Sequence, residues 1–105
     1  MYLLNSFSLN MLGNFPASIE VKEVGEEEAR DELLRHGLDS AVGHADTAAV
    51  FGGILGLDVK PERRTVSLEK GDRVVVGQYR GPRLPEGATT LPEGATIQWM
   101  VVSVR

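Results

Sequence analysis

Three consecutive β-branched residues, Val74-Val75-Val76, constrain this chain most. They lie within residues 73–79, which read as a strand. Side chains along a strand alternate between the two faces of a sheet, so an unbroken valine run asks for apolar cover on both. Such a strand belongs in the middle of a sheet, and the rest of the chain has to supply its neighbours and its layers. The remaining pattern does so. Tyr2-Leu3-Leu4 reads as a short buried strand. Residues 17–24 alternate, with Ile19, Val21 and Glu23 on one side and Ser18, Glu20, Lys22 and Val24 on the other. Residues 65–68 are predicted to be a strand that turns through Glu69-Lys70-Gly71-Asp72 into residues 73–79. Residues 96–104 form the last strand, with Ile97, Trp99 and Val101 on one face.

Helical patterns fill the gaps. Residues 26–36 are amphipathic, acidic in the first turn, with Ala29, Leu33 and Leu34 as the apolar stripe and Gly37 in the capping position. Residues 38–42 read as a connector. Residues 44–55 form a second helix that ends at Gly56. Its Gly52-Gly53 pair costs up to ~1 kcal/mol per glycine against alanine, which predicts close approach of another backbone, from the sheet or from a second subunit. Ser8 is placed to cap a short helix over about residues 9–12. Residues 57–64 read as a loop containing Pro61, and residues 80–95 are rich in turns. The total is about five strands and two to three helices in one α/β domain spanning residues 1–105.

Bulk properties exclude several function classes. The chain has no cysteine, so disulfides and thiolate metal sites are absent, which fits a reducing cytosol. No apolar run approaches the ~20 residues that span a bilayer, and the N-terminus lacks the basic stretch of a signal peptide. Net charge is -4, unevenly placed: residues 1–59 hold three basic and ten acidic side chains, residues 60–105 eight basic and five acidic. So acidic a chain is a poor ligand for long duplex nucleic acid, whereas a small anion held by local donors remains compatible. Two histidines without cysteine or a dense carboxylate cluster make a poor metal set. No P-loop and no Gly-x-Ser-x-Gly elbow is present.

Three segments carry the candidate chemistry. In Ala41-Val42-Gly43-His44-Ala45-Asp46-Thr47-Ala48, a glycine precedes a histidine at a helix start. Imidazole is the side chain best suited to proton exchange near neutral pH, and a helix-capping or interface histidine is the structural alternative. In Arg83-Leu84-Pro85-Glu86-Gly87, a guanidinium fork able to grip phosphate stands three residues before a carboxylate that can orient it or accept a proton. The same pair can equally be a surface ion pair of little consequence. In Asn5-Ser6-Phe7-Ser8, a strand runs into a capped helix, where backbone N–H groups can hold an anion or Asn5 and Ser8 can merely satisfy the turn. A serine–histidine triad would draw on Ser8 and His44, but nothing beside the serine prepares an oxyanion hole. Leu84-Pro85-Glu86-Gly87-Ala88 recurs as Leu91-Pro92-Glu93-Gly94-Ala95, and only the first copy follows an arginine.

Taken in order, Asn5 to Leu12, then Val42-Gly43-His44 with Thr47-Ala48, then Gln78 to Gly87 resemble the viral type III anti-CRISPR ring nucleases, a family with relatives in bacterial type III CRISPR loci. The resemblance covers nearly the whole chain and implies a mixed five-stranded sheet flanked by helices, assembled as a symmetric homodimer. It implies cyclic tetra-adenylate as substrate and cleavage without metal or cofactor, by attack of a ribose 2′-hydroxyl on the adjacent phosphorus. By motif match it makes His44 the general acid, places Arg83 and Glu86 at the reacting phosphate, and gives Asn5, Ser8, Gly43 and Arg83 contact with the ligand. Glu93 is the rival for the role of Glu86. The expected setting is the cytoplasm of a bacterial or archaeal cell. A binding protein that holds a cyclic nucleotide or nucleic acid without cutting it is the alternative.

Overall fold

The computed structural model describes all residues from Met1 to Arg105. In chain order the elements are β1 (Tyr2–Leu4), a 3-10 turn (Leu9–Met11), β2 (Ile19–Val24), α1 (Glu26–His36), β3 (Asp39–Ala41), α2 (Ala45–Leu55), β4 (Arg73–Arg80) and β5 (Thr96–Val104). The strands form one mixed sheet in the order β2-β5-β4-β1-β3. β1 pairs in parallel with both β3 and β4, whereas β5 runs antiparallel to β4 and to β2.

β4 is interior, as its valine run requires. Val75 faces the layer of α1 and α2, in a core that includes Leu3, Ala29, Leu33, Phe51, Leu55, Trp99 and Val101. Val74 and Val76 face the other way, into a second core with Leu4, Leu12, Val66, Leu68, Val102 and Val104. Phe51 of α2 meets Trp99 of β5 edge to face, with ring centroids 5.0 Å apart. The pair sits directly on Gly77: a Cβ there would lie 2.6 Å from Trp99 and 2.7 Å from Phe51. Glu32 ties α1 to the sheet through Arg73, at 3.2 Å. His36 lies 3.7 Å from the same carboxylate, a local role that matches its place in the last turn of α1.

The five-stranded α/β reading holds, with one strand exchanged for another. Residues 65–68 are not a strand: Val66 and Leu68 are buried, but only Leu68 makes an isolated bridge, to Leu12. Both edges of β4 are already occupied, by β1 and β5, so this segment lies across the sheet face instead of joining it. The fifth strand is β3, which the sequence disguised as a connector. It is three residues long and opens on Asp39-Ser40. Its register is fixed by β1 and by Ser40, whose hydroxyl donates to the Lys60 carbonyl and accepts from the Val42 N–H. The glycines of α2 do meet backbone, and it is the chain's own. A Cβ on Gly52 would stand 2.8 Å from the Leu57 carbonyl, and one on Gly53 would stand 3.5 Å from that of Thr89.

Candidate functional site

Three adjacent strands deliver the three chemical segments to one edge of the sheet. β3, β1 and β4 run parallel, so the residues after each of them emerge at the same end. Asn5 follows β1, Gly43 and His44 follow β3, and residues 81–87 follow β4. Ligands of open α/β sheets bind at the carboxyl ends of parallel strands for this reason: loops from different strands meet there.

Two neighbouring clefts occupy that edge. The larger, of about 810 Å³, is lined by His44, Asp46, Thr47, Tyr79, Gly81 and the loop Arg83-Leu84-Pro85-Glu86. The smaller, of about 250 Å³, is walled by Asn5, Ser6, Gly43, His44, Arg63 and Arg64, among others. His44 belongs to both. It is the N-cap residue of α2, and its carbonyl receives the Ala48 N–H at 2.9 Å. Its side chain makes no capping hydrogen bond and is exposed. The imidazole is therefore not used to hold the helix start and is free to face a ligand.

The charges here are also uncommitted. Arg73 and Arg105 pair with carboxylates, whereas Arg63, Arg64 and Arg83 have none within 4.0 Å. Arg83 and Glu86 line one cleft without forming the surface ion pair that their spacing also allowed. Arg64 stands over the Tyr2 ring, 5.7 Å from its centroid. Arg63 donates from Nε to the Gly43 carbonyl at 3.1 Å. A chain of net charge -4 thus gathers three unpaired guanidinium groups around one imidazole. No three His, Asp or Glu side chains gather as a metal-ligand set.

Two of the sequence-based roles change in detail. Gly43, expected to touch the ligand, is also needed for packing: a Cβ there would press on Arg63 at 3.3 Å, so the glycine makes room for that arginine. Ser8 lies in neither cleft. Its hydroxyl accepts the Asn10 N–H at 3.2 Å and caps the 3-10 turn, the structural role that the sequence left open. Gln78, on the side of β4 away from the helices, lines a third hollow instead, with Phe7, Val21 and Met100. Sequence reasoning overlooked Arg63 and Arg64, which lay in what read as a plain loop. The excess of basic residues after position 59 was the available signal. It also overlooked Asp46, whose Oδ1 accepts the Gly87 N–H at 2.9 Å and joins α2 to the loop of Arg83 and Glu86.

Residues 1–98 match the model of the family described as STIV B116-like. B116 of Sulfolobus turreted icosahedral virus superposes with a TM-score of 0.81 at 28% identity, covering 97% of each chain. Uncharacterized protein 26 of Sulfolobus islandicus filamentous virus (isolate Iceland/Hveragerdi) is 32% identical over 75 residues, which is 71% of this chain. That stretch spans 64% of the filamentous-virus protein's own length. No helix is long and apolar enough to cross a membrane. With the family model covering residues 1–98, this chain belongs to the STIV B116-like family.

Proposed function

We propose that this chain is a metal-independent ring nuclease that opens cyclic tetra-adenylate. The observation that carries the reading is the meeting of His44, Arg83 and Glu86 on one open cleft, with the imidazole free and the guanidinium unpaired. An RNA phosphodiester brings its own nucleophile, so the protein needs to supply only position, charge and protons. The ribose 2′-oxygen attacks the adjacent phosphorus and gives its proton to Glu86. Arg83 stabilises the charge that builds on the phosphoryl oxygens. The bond from phosphorus to O5′ breaks, and His44 protonates the departing oxygen. Two such cuts on opposite sides of the ring yield two linear di-adenylates, each with a 2′,3′-cyclic phosphate. Asn5, Arg63 and Arg64, in the adjoining cleft, hold the neighbouring nucleotides.

The four-nucleotide ring offers two-fold symmetry, which a homodimer matches with one His44 from each copy. The open side of the sheet supports that assembly. Phe7, Val21, Val76, Met100 and Val102 wall an apolar hollow there, and Val21 is 53% exposed. Asn5 and Ser6 border both this hollow and the His44 cleft, so a second copy seated on the hollow brings a second site alongside the first. Destruction of a cyclic adenylate messenger would silence type III CRISPR signalling. The viral origin of the two relatives named above supports a role in evading that immunity.

The test is incubation of the chain with cyclic tetra-adenylate in EDTA, with products separated by chromatography. Linear di-adenylate bearing a cyclic phosphate is expected. A ring left intact at micromolar protein removes the reading, and tight retention without product replaces it with a binding function.

A further inference from the structure

We propose that Asp46 is a positioning residue that latches the loop of Arg83 and Glu86 in place opposite His44; its catalytic consequence rests on the ring-nuclease reading. Asp46 stands at the second position of α2, two residues after His44. Its Oδ1 accepts the Gly87 N–H at 2.9 Å, a charge-assisted bond across 41 residues of chain. Gly87 is no arbitrary anchor. Pro85-Glu86-Gly87-Ala88 is a turn closed by the Ala88 N–H on the Pro85 carbonyl at 3.1 Å, with Gly87 at φ 79°. That positive φ at the third residue is the mark of a type II turn. The N–H that Asp46 holds belongs to the peptide joining Glu86 to Gly87. Holding that peptide plane, in a turn already closed by the Ala88 N–H, restrains ψ of Glu86 and with it the direction in which the side chain leaves the backbone.

The repeat supplies an internal control. Pro92-Glu93-Gly94-Ala95 forms the same turn, with Ala95 N–H on the Pro92 carbonyl at 3.0 Å and Gly94 at φ 80°. No side chain holds the Gly94 N–H, and Glu93 lies outside the cleft that Glu86 lines. The two pentapeptides are identical in sequence and alike in turn geometry. The latch is a tertiary contact made by one copy and not by the other, and it goes with the copy whose glutamate lines the His44 cleft.

The experiment uses the full chain labelled with nitrogen-15. In Asp46→Ala the Gly87 amide is expected to move upfield and to exchange with solvent at least roughly tenfold faster, while the Gly94 amide stays where it was. Asp46→Asn keeps an acceptor oxygen in the same place and restores most of the Gly87 protection. With cyclic tetra-adenylate, Asp46→Ala lowers kcat about 10- to 100-fold and changes KM less than about threefold, since it loosens alignment more than binding. Asp46→Asn recovers most of that rate, and Tm falls by no more than about 5 °C. A Gly87 amide indifferent to Asp46→Ala overturns the latch, even in a chain that cleaves the ring. A Gly87 amide that responds while kcat does not overturns the positioning role. A wild-type chain that leaves the ring whole, with Gly87 still responding, overturns the cleavage reading and keeps the latch.

Discussion

Replacing His44 with alanine separates chemistry from folding more cleanly here than at most histidines. The side chain is exposed and makes no capping bond, so its removal breaks no hydrogen bond of the helix start. The bond from the Ala48 N–H to the residue 44 carbonyl is a main-chain contact and survives. A surface change of this kind stays within about 0.5 kcal/mol, which is less than about 4 °C in Tm for a domain this size. Loss of a general acid costs roughly 100- to 10,000-fold in rate, or about 2.7–5.4 kcal/mol at 1.36 kcal/mol per decade. The decisive assay compares two rings in single turnover with enzyme in excess, one natural and one with sulfur in place of each bridging O5′. Thiols ionise near ~8.5, far below the ~15.7 of water, so a thiolate departs without a proton donor. His44→Ala is expected to lose at least about 100-fold on the natural ring and less than about fivefold on the sulfur ring. Equal losses on both would show that residue 44 does not protonate the leaving group. A natural-ring rate within about threefold of wild type would take it out of the mechanism altogether.

Other outcomes follow from the same geometry. Glu86→Ala should lower turnover by at least roughly tenfold, whereas Glu93→Ala should leave it within about twofold, measured on the same chromatographic assay, because only Glu86 lines the His44 cleft. Arg63→Ala removes an unpaired guanidinium from the adjoining cleft; kcat/KM should fall roughly tenfold or more, mainly through KM, since a charge-assisted contact contributes about 1.5–3 kcal/mol. Gly77→Ala forces a methyl to within 2.6 Å of Trp99, and the overpacking should cost about 1–3 kcal/mol in a urea melt with the m-value unchanged. In the homodimer proposed above, Val21→Lys places a charge on the apolar hollow of the open sheet face; light scattering should then report half the wild-type mass with an unaltered circular dichroism spectrum, and an equal mass for both chains refutes that interface.

The parts of the fold that could be read from sequence are those where local pattern and tertiary role coincide. Val74-Val75-Val76 announced an interior strand because burial on both faces leaves no other pattern. Acidic residues at one end of α1 and Gly37 at the other marked that helix, and Gly37 takes φ 83° there. β3 was illegible because it is held by β1 and by the Lys60 carbonyl that receives the Ser40 hydroxyl, neither of which lies within its three residues. Residues 65–68 were read wrongly as a strand: their alternation places Val66 and Leu68 on one buried face without making the segment part of the sheet. Periodicity reports which side chains are covered, not whether the backbone has a free edge to pair with. At the site, His44, Arg83 and Glu86 were visible by residue type. Ser8 showed equally the signature of a cap and of a ligand contact, and it serves as the cap. Arg63 acquires its place only through the Gly43 carbonyl, a contact 20 residues away in sequence.

The site's location follows from strand direction more than from any single residue. β5 alone runs against the other strands, so the chain that leaves β4 at the cleft edge must come back to that edge to begin β5. Residues 81–95 are therefore a loop with both ends at the cleft. Its length has to be absorbed there, and two turns of the same sequence absorb it. Identical pentapeptides carry identical local preferences, so neither turn can be told from the other by propensity. What separates them is how far each lies from the start of α2, where Asp46 reaches Gly87. Farther on, Thr89 passes over Gly53, which offers no side chain to hold or to block it. The loop is thus tied at the turn that carries Glu86 and merely accommodated beyond it. The second copy of the turn lies after the tie, so the length it adds to the loop falls beyond Arg83 and Glu86.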